Sequence, residues 1–249
     1  MSYCKIDLSS INAGLSHQRS NLRTIIRYCF VNNLKLIKPI FKLHGKHNGN
    51  NELTSDLSEY YDLDGITVDG KPFKLHDDDN YSYTINKRNY TYGGLRFDEP
   101  FKNLLHINVV IPYRKDIIDI ANKVSSELDE YMCIHIRRGD RITNKQIDID
   151  TQPDNIIKKI NEYKVKNVYI MTNRLNELKS LSSIKNIHFY TDYKFLEDIK
   201  DNYYLYCVEN VIMELAKIRC STFNVKLNSF VDTFQPDYHC YLTNHIGWQ

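Results

Sequence analysis

Two adjacent arginines follow a short apolar run in residues 131–141, YMCIHIRRGDR, and this arrangement suits the binding of an anion. The apolar run predicts a strand that is covered on both faces, as parallel strands usually are. In an open parallel sheet, ligands bind beyond the carboxyl ends of the strands, which is where Arg137 and Arg138 stand. A guanidinium keeps its charge, and its planar fork of donors matches a phosphate group. We therefore predict a phosphate site here, with Gly139 allowing a tight turn and Asp140 orienting one guanidinium.

The same residues also have a purely structural interpretation. Arginines and an aspartate after a strand often form a solvated loop with a surface ion pair, which contributes little to stability. A histidine inside a strand, here His135, is more often a satisfied core residue than a ligand contact. These residues alone leave both interpretations open.

Two further polar segments are predicted to reach the same edge of the sheet. Thr172 and Asn173 follow the next predicted strand, and Ser221 and Thr222 stand where a later strand ends. Hydroxyls and free backbone amides that point the same way suit a diphosphate. Glu209 is expected in the first turn of the preceding helix, where the helix dipole favours a carboxylate. There it could accept two hydrogen bonds from guanine, or be an ordinary first-turn glutamate.

The N-terminal part of the chain offers a weaker anion-binding candidate. The spacing of apolar residues predicts a helix over residues 18–31, followed by a strand over 34–39. Ahead of the helix, the turn at residues 14–19 has backbone amides that are available to an anion. An ordinary loop capped by Ser16 explains the same residues and is favoured when the turn is considered alone.

Metal chemistry is not expected. The three aspartates at residues 77–79 invite a metal-binding interpretation, but a loop of solvated carboxylates is favoured because no strand clearly presents them. The six cysteines are scattered without a C-x-x-C pair, which argues against a zinc site. Reduced thiols in a cytosol-like compartment are the simpler interpretation.

The composition is that of a soluble globular protein, with 42% hydrophobic and 26% charged residues in a chain of 249. The formal net charge of +2 is too small to indicate nucleic acid or an anionic membrane surface as a partner. No stretch approaches the ~20 apolar residues of a membrane span, and no secretory signal begins the chain. We therefore expect a cytoplasmic or other soluble compartment. The abundance of Asn, Lys, Ile and Tyr hints at an AT-rich genome, such as that of a virus or protist.

The elements that must position these residues alternate as βαβ units do after residue 128. Strands are predicted at residues 131–136, 167–171, 186–190 and 217–220, and helices from residue 153, at 175–181, at 193–199 and around 208–215. A further helix is predicted at 115–128, whereas residues 44–96 are polar and irregular. The prediction is an α/β fold with two domains, residues 1–128 and 129–249.

The run from His135 to Asp140, HIRRGD, resembles the H-x-R-x-x-D signature of the GDP-fucose-dependent fucosyltransferases. This superfamily includes α1,2-, α1,6- and protein O-fucosyltransferases. Other segments resemble the family in the right order: the turn at 14–19 resembles its N-terminal phosphate loop, and residues 172–173 resemble the turn after the second strand of its donor domain. The segment from Glu209 to residues 221–223 resembles the closing motif, an acidic residue followed later by S/T-F. The ordered set is more specific than the arginine motif alone.

The resemblance implies a GT-B architecture, in which two Rossmann-like halves with parallel sheets face each other across a cleft. Residues 1–128 would form the acceptor side, and residues 129–249 would bind the GDP-sugar. Arg137 would contact the β-phosphate and stabilise the leaving group, His135 would contact the nucleotide, and Glu209 would recognise guanine. The other residues implied to bind the donor are Gly14, Arg138, Thr172, Asn173, Ser221, Thr222 and Phe223.

The implied activity is the inverting transfer of L-fucose from GDP-fucose to a hydroxyl of a glycan or protein. GDP-fucose is the donor substrate, and neither a metal nor another cofactor is expected. Asp140 is as suited to bracing Arg137 as to accepting a proton, and His17 is a second candidate base because histidine titrates near neutral pH.

Two alternatives remain beside this activity. One is a glycosyltransferase of the same fold that uses another nucleotide sugar. The other is a nucleotide- or glycan-binding module without turnover. The second alternative is supported by His17, which replaces the usual Asn of the N-terminal loop, and by a chain that is short for this architecture.

Overall fold

The computed structural model describes residues 2–6, 14–41, 43, 56–77, 83–84, 90–91, 94–95, 104, 106–138, 142–143, 145–184, 186–221 and 231–232. These residues form two compact units. The first contains the chain up to Lys115 and the segment Asp201–Tyr204, and the second contains Asp116–Lys200 and the chain from Leu205 onward to residue 242. This division differs from the predicted boundary after residue 128 mainly by one helix, which groups with the second unit.

The first unit has a parallel sheet, an antiparallel sheet and a two-stranded pair. Its strands are β1 (Tyr3–Lys5), β2 (Lys35–Leu36), β3 (Thr67–Val68), β4 (Lys71–Pro72), β5 (Tyr83–Thr84), β6 (Tyr90–Thr91), β7 (Gly94–Leu95) and β8 (Val109–Val110). The order is β2-β1-β5 in the parallel sheet and β4-β3-β8 in the antiparallel sheet, and β6 pairs with β7. The helix α1 (Leu15–Val31) lies between β1 and β2 in the chain, and parallel neighbours need such a crossover connection.

The end of α1 follows from two asparagines. Asn32 caps the helix, and Asn33 adopts a left-handed conformation with φ of 51°. The amide of Asn33 donates to the carbonyl of Phe30, and the amide of Leu34 donates to that of Cys29. This pair of bonds is the Schellman arrangement, which satisfies carbonyls that the end of a helix leaves open. The helix thus ends where predicted, although it begins three residues earlier, at Leu15.

The second unit is built on a five-stranded sheet flanked by helices. Its elements are α2 (Lys115–Leu128), β9 (Tyr131–Ile136), α3 (Lys145–Asp150), α4 (Pro153–Asn161), β10 (Asn167–Thr172), β11 (Ile187–His188), α5 (Lys194–Glu197), α6 (Asn202–Leu215), β12 (Ile218–Ser221) and β13 (Val231–Asp232). The strand order is β11-β10-β9-β12-β13, parallel except for the antiparallel β13. A mixed α/β fold with parallel sheets is therefore confirmed.

Most predicted elements of this unit are present, but several differ in type or extent. The predicted helix at 175–181 is two short 3₁₀ helices, Leu175–Glu177 and Lys179–Ser183. The predicted strand at 186–190 shortens to β11, because Tyr190–Asp192 forms a 3₁₀ turn. A helix that the sequence did not predict, α3, lies within the polar loop after β9.

The central strand, β9, is covered on both faces, as predicted. All six of its residues are buried. Met132, Ile134 and Ile136 pack in an apolar core that includes residues of α4 and of the 3₁₀ helices. Alternate residues of a strand face opposite sides, and on the other side the Tyr131 hydroxyl donates to the carbonyl of Ile212 in α6 at 2.5 Å.

The described residues also bear on membranes and disulfides. None of their helices is both long enough and apolar enough to span a bilayer. The five cysteines among them are buried and form no disulfide: Cys4, Cys29, Cys133, Cys207 and Cys220.

Candidate functional site

The strand register places several of the predicted site residues side by side at the carboxyl edge of the second unit's sheet. His135 of β9 pairs with Ser221, the last residue of β12. On the other side of β9, Thr172, the last residue of β10, pairs with the last residue of β9. Asn173 and Arg137 therefore leave the sheet at the same level. The structure thus brings together three segments that are far apart in sequence.

His135 is a neutral group within this edge. It is only 8% exposed. Burial, together with the nearby charge of Arg137, lowers its pKa from 6.5 to about 4. A neutral imidazole offers one donor and one acceptor, and it adds no charge that would compete with Arg137 for an anion. Ser221, its neighbour across the strand, is fully buried.

Arg137 is the first residue beyond β9, and it is half-buried. This is the position at which parallel sheets present side chains to ligands. Its charge acts on His135, so the guanidinium lies close to the strand ends. A guanidinium at this position can donate several hydrogen bonds to one anion.

Protein acceptors surround the guanidinium of Arg138. Its Nε donates to Glu177 at 2.6 Å and its Nη2 donates to Asp148, also at 2.6 Å. Its Nη1 donates to the Thr151 hydroxyl at 2.5 Å, and the residue is 5% exposed. These bonds join the end of β9 to α3 and to the 3₁₀ turn after β10. The predicted donor contact of Arg138 is therefore not supported, since its donors are used to fix the loop that carries Arg137.

Replacing Arg138 with methionine is expected to lower the free energy of unfolding by about 2–3 kcal/mol. Three charge-assisted bonds would be lost, but the side chains of Asp148 and Glu177 are 41% and 34% exposed and would be rehydrated. Urea denaturation measures the change. The matched control is Arg174→Met, which removes an exposed arginine 3.8 Å from Glu177 and should cost less than about 0.5 kcal/mol. Equal stability of the Arg138 variant and the native chain would contradict this role.

Glu209 does not lie where the sequence predicted. The first-turn position is wrong, because α6 begins at Asn202 and Glu209 is in the middle of it. The carboxyl is 6% exposed and accepts a hydrogen bond from the Tyr169 hydroxyl at 3.1 Å. Tyr169 pairs with Cys133, two residues before His135 along β9. Glu209 thus lies beside the sheet below the edge, and its contact with guanine stays a prediction.

The buried setting of Glu209 controls its charge. Burial raises its pKa from 4.5 to about 8, and the bond from Tyr169 opposes this rise only in part. The carboxyl is therefore mostly protonated at neutral pH. A protonated acid can donate one hydrogen bond and accept others, whereas accepting both donors of guanine would require the ionised form.

The remaining predicted residues are distributed as follows. The Thr172 hydroxyl accepts a hydrogen bond from the amide of Arg174 at 3.1 Å and so shapes the turn after β10. Gly14 is the N-cap residue of α1 in the first unit, so no side chain caps this helix. Asp140, Thr222, Phe223 and the side chain of His17 lie outside the described residues.

The acidic triplet is only partly described. Asp77 is exposed, and the other two aspartates lie outside the described residues. Within the described part of the chain, no group of three or more His, Cys, Asp or Glu side chains is placed to hold a metal ion.

Several residues that support this edge were missed in the sequence. Asp148, Thr151 and Glu177 hold Arg138, and Tyr169 holds Glu209. The available signal was chemical: two adjacent arginines after a buried strand need acceptors if one of them turns inward. The partners were not identifiable, because they come from a helix that the sequence did not predict and from a turn beyond the next strand.

Comparisons with known proteins find similarity in structure only. No family model and no curated protein matches the sequence. The structure is similar to that of a NodZ alpha-1,6-fucosyltransferase soaked with GDP-fucose, with 10% sequence identity and a TM-score of 0.49. The similarity covers 92% of this chain and 99% of the NodZ chain. The fucosyltransferase NodZ from Bradyrhizobium gives 11% identity and 0.48 over 92% and 98% of the two chains. POFUT1 in complex with GDP has 9% sequence identity and a TM-score of 0.46, over 88% of this chain and 90% of the POFUT1 chain. At these values the activity has to be inferred from the chain's own residues.

Proposed function

We propose that this protein is an inverting glycosyltransferase that transfers L-fucose from GDP-fucose to a hydroxyl of a glycan or protein. The observation that carries the proposal is the position of Arg137 at the end of β9, level with the turn after β10 and beside the pair His135–Ser221. These residues belong to the H-x-R-x-x-D and S/T-F motifs that resemble the fucosyltransferase family. The proposal includes a GT-B arrangement of two Rossmann-like halves.

The proposed chemistry follows from where charge develops. Inverting transfer breaks the bond between the sugar and the β-phosphate, so the sugar gains oxocarbenium character and the diphosphate gains negative charge. Preorganised donors aimed at that charge supply most of the rate gain in such sites. Arg137 would bind the β-phosphate with its fork, and Ser221 and the turn at Thr172–Asn173 would add hydroxyl or amide donors. These donors stabilise the leaving group without a metal, and no cofactor is needed.

The acceptor hydroxyl must lose a proton as it attacks the sugar, which calls for a general base. We propose Asp140 or His17 for this step. Arg138 is not included among the donor contacts, because Asp148, Thr151 and Glu177 occupy its guanidinium.

Nucleotide specificity is the first test of the proposal. GDP is expected to raise the melting temperature, whereas UDP and ADP at the same concentration should not. A ligand at 100 times its Kd stabilises the folded state by about 2.7 kcal/mol, which corresponds to a rise of roughly 5–11 °C for a chain of this size. The variant Arg137→Met should lose most of the rise, while Arg174→Met should keep it. Stabilisation by UDP or ADP in place of GDP would favour a different nucleotide sugar, and equal stabilisation by all three would contradict recognition of guanine.

Turnover separates an enzyme from a binding module. Release of GDP from GDP-fucose in the presence of a mixed glycan acceptor is the measurement, made with and without a chelator. Release that persists with the chelator is the expected result. Binding of GDP without any release would support a nucleotide-binding module, and loss of release with the chelator would contradict the metal-independent mechanism.

A further inference from the structure

Three arginines form a buried stripe on α1, in the first unit. Arg19, Arg23 and Arg27 are four residues apart, so they lie along one face of the helix. They are 5%, 3% and 2% exposed, respectively. Burying an unpaired charge is costly, and charged side chains are almost never fully buried without partners. The partners of this stripe therefore need to be identified.

The contacts of Arg19 include several with neutral groups. Its guanidinium carbon lies 4.6 Å from the ring centroid of Tyr61 and 4.5 Å from that of Tyr113. It donates to the Tyr113 hydroxyl at 3.0 Å and to the carbonyl of Ile111 at 2.6 Å. These contacts fix the position of the guanidinium, but none of them supplies a negative charge.

Arg27 is bound at one nitrogen and not at another. Its Nε donates to the carbonyl of Ile107 at 2.8 Å, whereas its buried Nη1 has no acceptor within the described part of the chain. Burial lowers the pKa of Arg27, and the charge of Asp69 partly offsets this effect. Arg27 thus has one carboxylate, Asp69, in its neighbourhood, and its Nη1 remains available as a hydrogen-bond donor.

Arg23 lies between the other two along the helix. Its buried Nε meets no acceptor among the described residues. Burial and the neighbouring charge of Arg19 lower its pKa well below the usual range, and the opposing influences are the phenols of Tyr113 and Tyr61. An arginine nonetheless stays protonated in proteins. A full positive charge therefore sits in the interior beside two others of the same sign.

We propose that the arginine stripe binds an oxyanion of the phosphate or sulfate class. The Nε of Arg23 and the Nη1 of Arg27 would donate to it, and Arg19 would contribute charge from a fixed position. An oxyanion suits the stripe because guanidinium forks match its geometry and because it offsets several charges at once. Arg23 and Arg27, which would donate to the anion, are not among the residues of the proposed donor site, and only Arg19 falls in the turn at residues 14–19. The proposal therefore does not rest on the proposed function.

The test is thermal unfolding in inorganic phosphate against sodium chloride of equal ionic strength. Phosphate at about 100 times its Kd should raise the melting temperature of the native chain by roughly 5 °C or more. Arg23→Met should lose this rise. In phosphate-free buffer it should melt no lower than the native chain, because an unpaired buried charge is replaced by an apolar side chain.

Two control variants keep the result specific. Arg174→Met removes an exposed arginine of the second unit, and Arg137→Met removes the arginine of the proposed donor site. Both should keep the phosphate response, which separates the stripe from a phosphate bound at the donor site. No response in the native chain, or an undiminished response in Arg23→Met, would overturn the proposal.

A second variant keeps the test decisive if Arg23→Met does not fold. Arg23→Lys retains the charge but lacks the fork, and calorimetric titration should show phosphate binding weakened by at least about tenfold. Unchanged affinity would overturn the proposal.

A phosphate monoester, glucose 6-phosphate, distinguishes the source of the anion: a response equal to that of inorganic phosphate indicates a site open to a phosphorylated ligand. A response to inorganic phosphate alone indicates an enclosed ion.

Discussion

Replacing Arg137 with lysine is expected to reduce kcat for fucose transfer by about 10²-fold or more. Lysine keeps the positive charge but loses the planar fork, so it cannot bind two oxygens of the departing diphosphate through a pair of parallel hydrogen bonds. The loss should appear mainly in kcat, because the additional negative charge on the β-phosphate develops only as the sugar bond breaks. Steady-state kinetics with GDP-fucose measures the effect.

The matched control for this variant is Arg174→Lys. Arg174 follows β10 and is exposed, and its ion pair is with Glu177 at 3.8 Å. Turnover of this control should match that of the native chain. Turnover of the Arg137 variant within a few-fold of native would refute the role assigned to Arg137.

Replacing Glu209 with glutamine is expected to remove a large pH dependence of stability. The pKa of Glu209 is about 8 in the folded chain, against 4.5 as its ordinary value. Between these values the folded state holds a proton that the unfolded state has released, so stability falls as pH rises. The fall is at most about 1.4 kcal/mol for each pH unit. The loss of stability is absent below pH 4.5 and complete above pH of about 8.

Urea denaturation of both proteins from pH 4.5 to 8.5 measures this dependence. The native chain should lose roughly 4–5 kcal/mol relative to the glutamine variant across the window. His135 titrates in the same range with the opposite sign, since its pKa is lowered to about 4. It is present in both proteins and cancels in the difference. A difference that stays flat with pH would show that Glu209 is ionised in the folded chain.

The same carboxyl bears on guanine recognition. If an ionised Glu209 accepts both donors of guanine, binding must remove its proton. The affinity for guanosine would then increase as the pH is raised, by up to tenfold for each pH unit, until the pH reaches about 8. Guanosine is the better probe than GDP here, because it has no phosphate that titrates.

The carboxyl edge of the second sheet was accessible from the sequence, because it depends on local patterns. The apolar run before Arg137 predicted β9 with the observed bounds. The helical spacing of apolar residues over 115–128 did the same for α2. Parallel pairing then requires the residues that end neighbouring strands to meet at one edge. Arg137, Thr172 and Ser221 follow from that rule.

The environment of each side chain was not accessible in the same way. The two arginines of the motif are adjacent and chemically identical, yet one ends half-buried at the strand end and the other turns inward. Only tertiary contacts distinguish them, because Asp148 and Glu177 are 10 and 39 residues from Arg138. Burial by distant segments decides such cases, and no local pattern records it.

The misplacement of Glu209 has a more specific cause. The predicted helix was based on its aliphatic residues from Val208 onward, but α6 begins six residues before Val208, in a run rich in tyrosine. The signal for the true start was Asp201, whose carboxylate accepts hydrogen bonds from the amides of Tyr203 and Tyr204 at 2.8 and 3.3 Å. An aspartate in this position is a typical N-terminal cap.

The most direct test of the central claim is a crystal structure of the protein with GDP bound. The guanidinium of Arg137 should lie about 2.7–2.9 Å from oxygens of the β-phosphate, the range of charge-assisted hydrogen bonds. His135 and Ser221 should line the same pocket. A β-phosphate bound away from the end of β9, or an Arg137 that extends into solvent while GDP is bound, would contradict the proposed function.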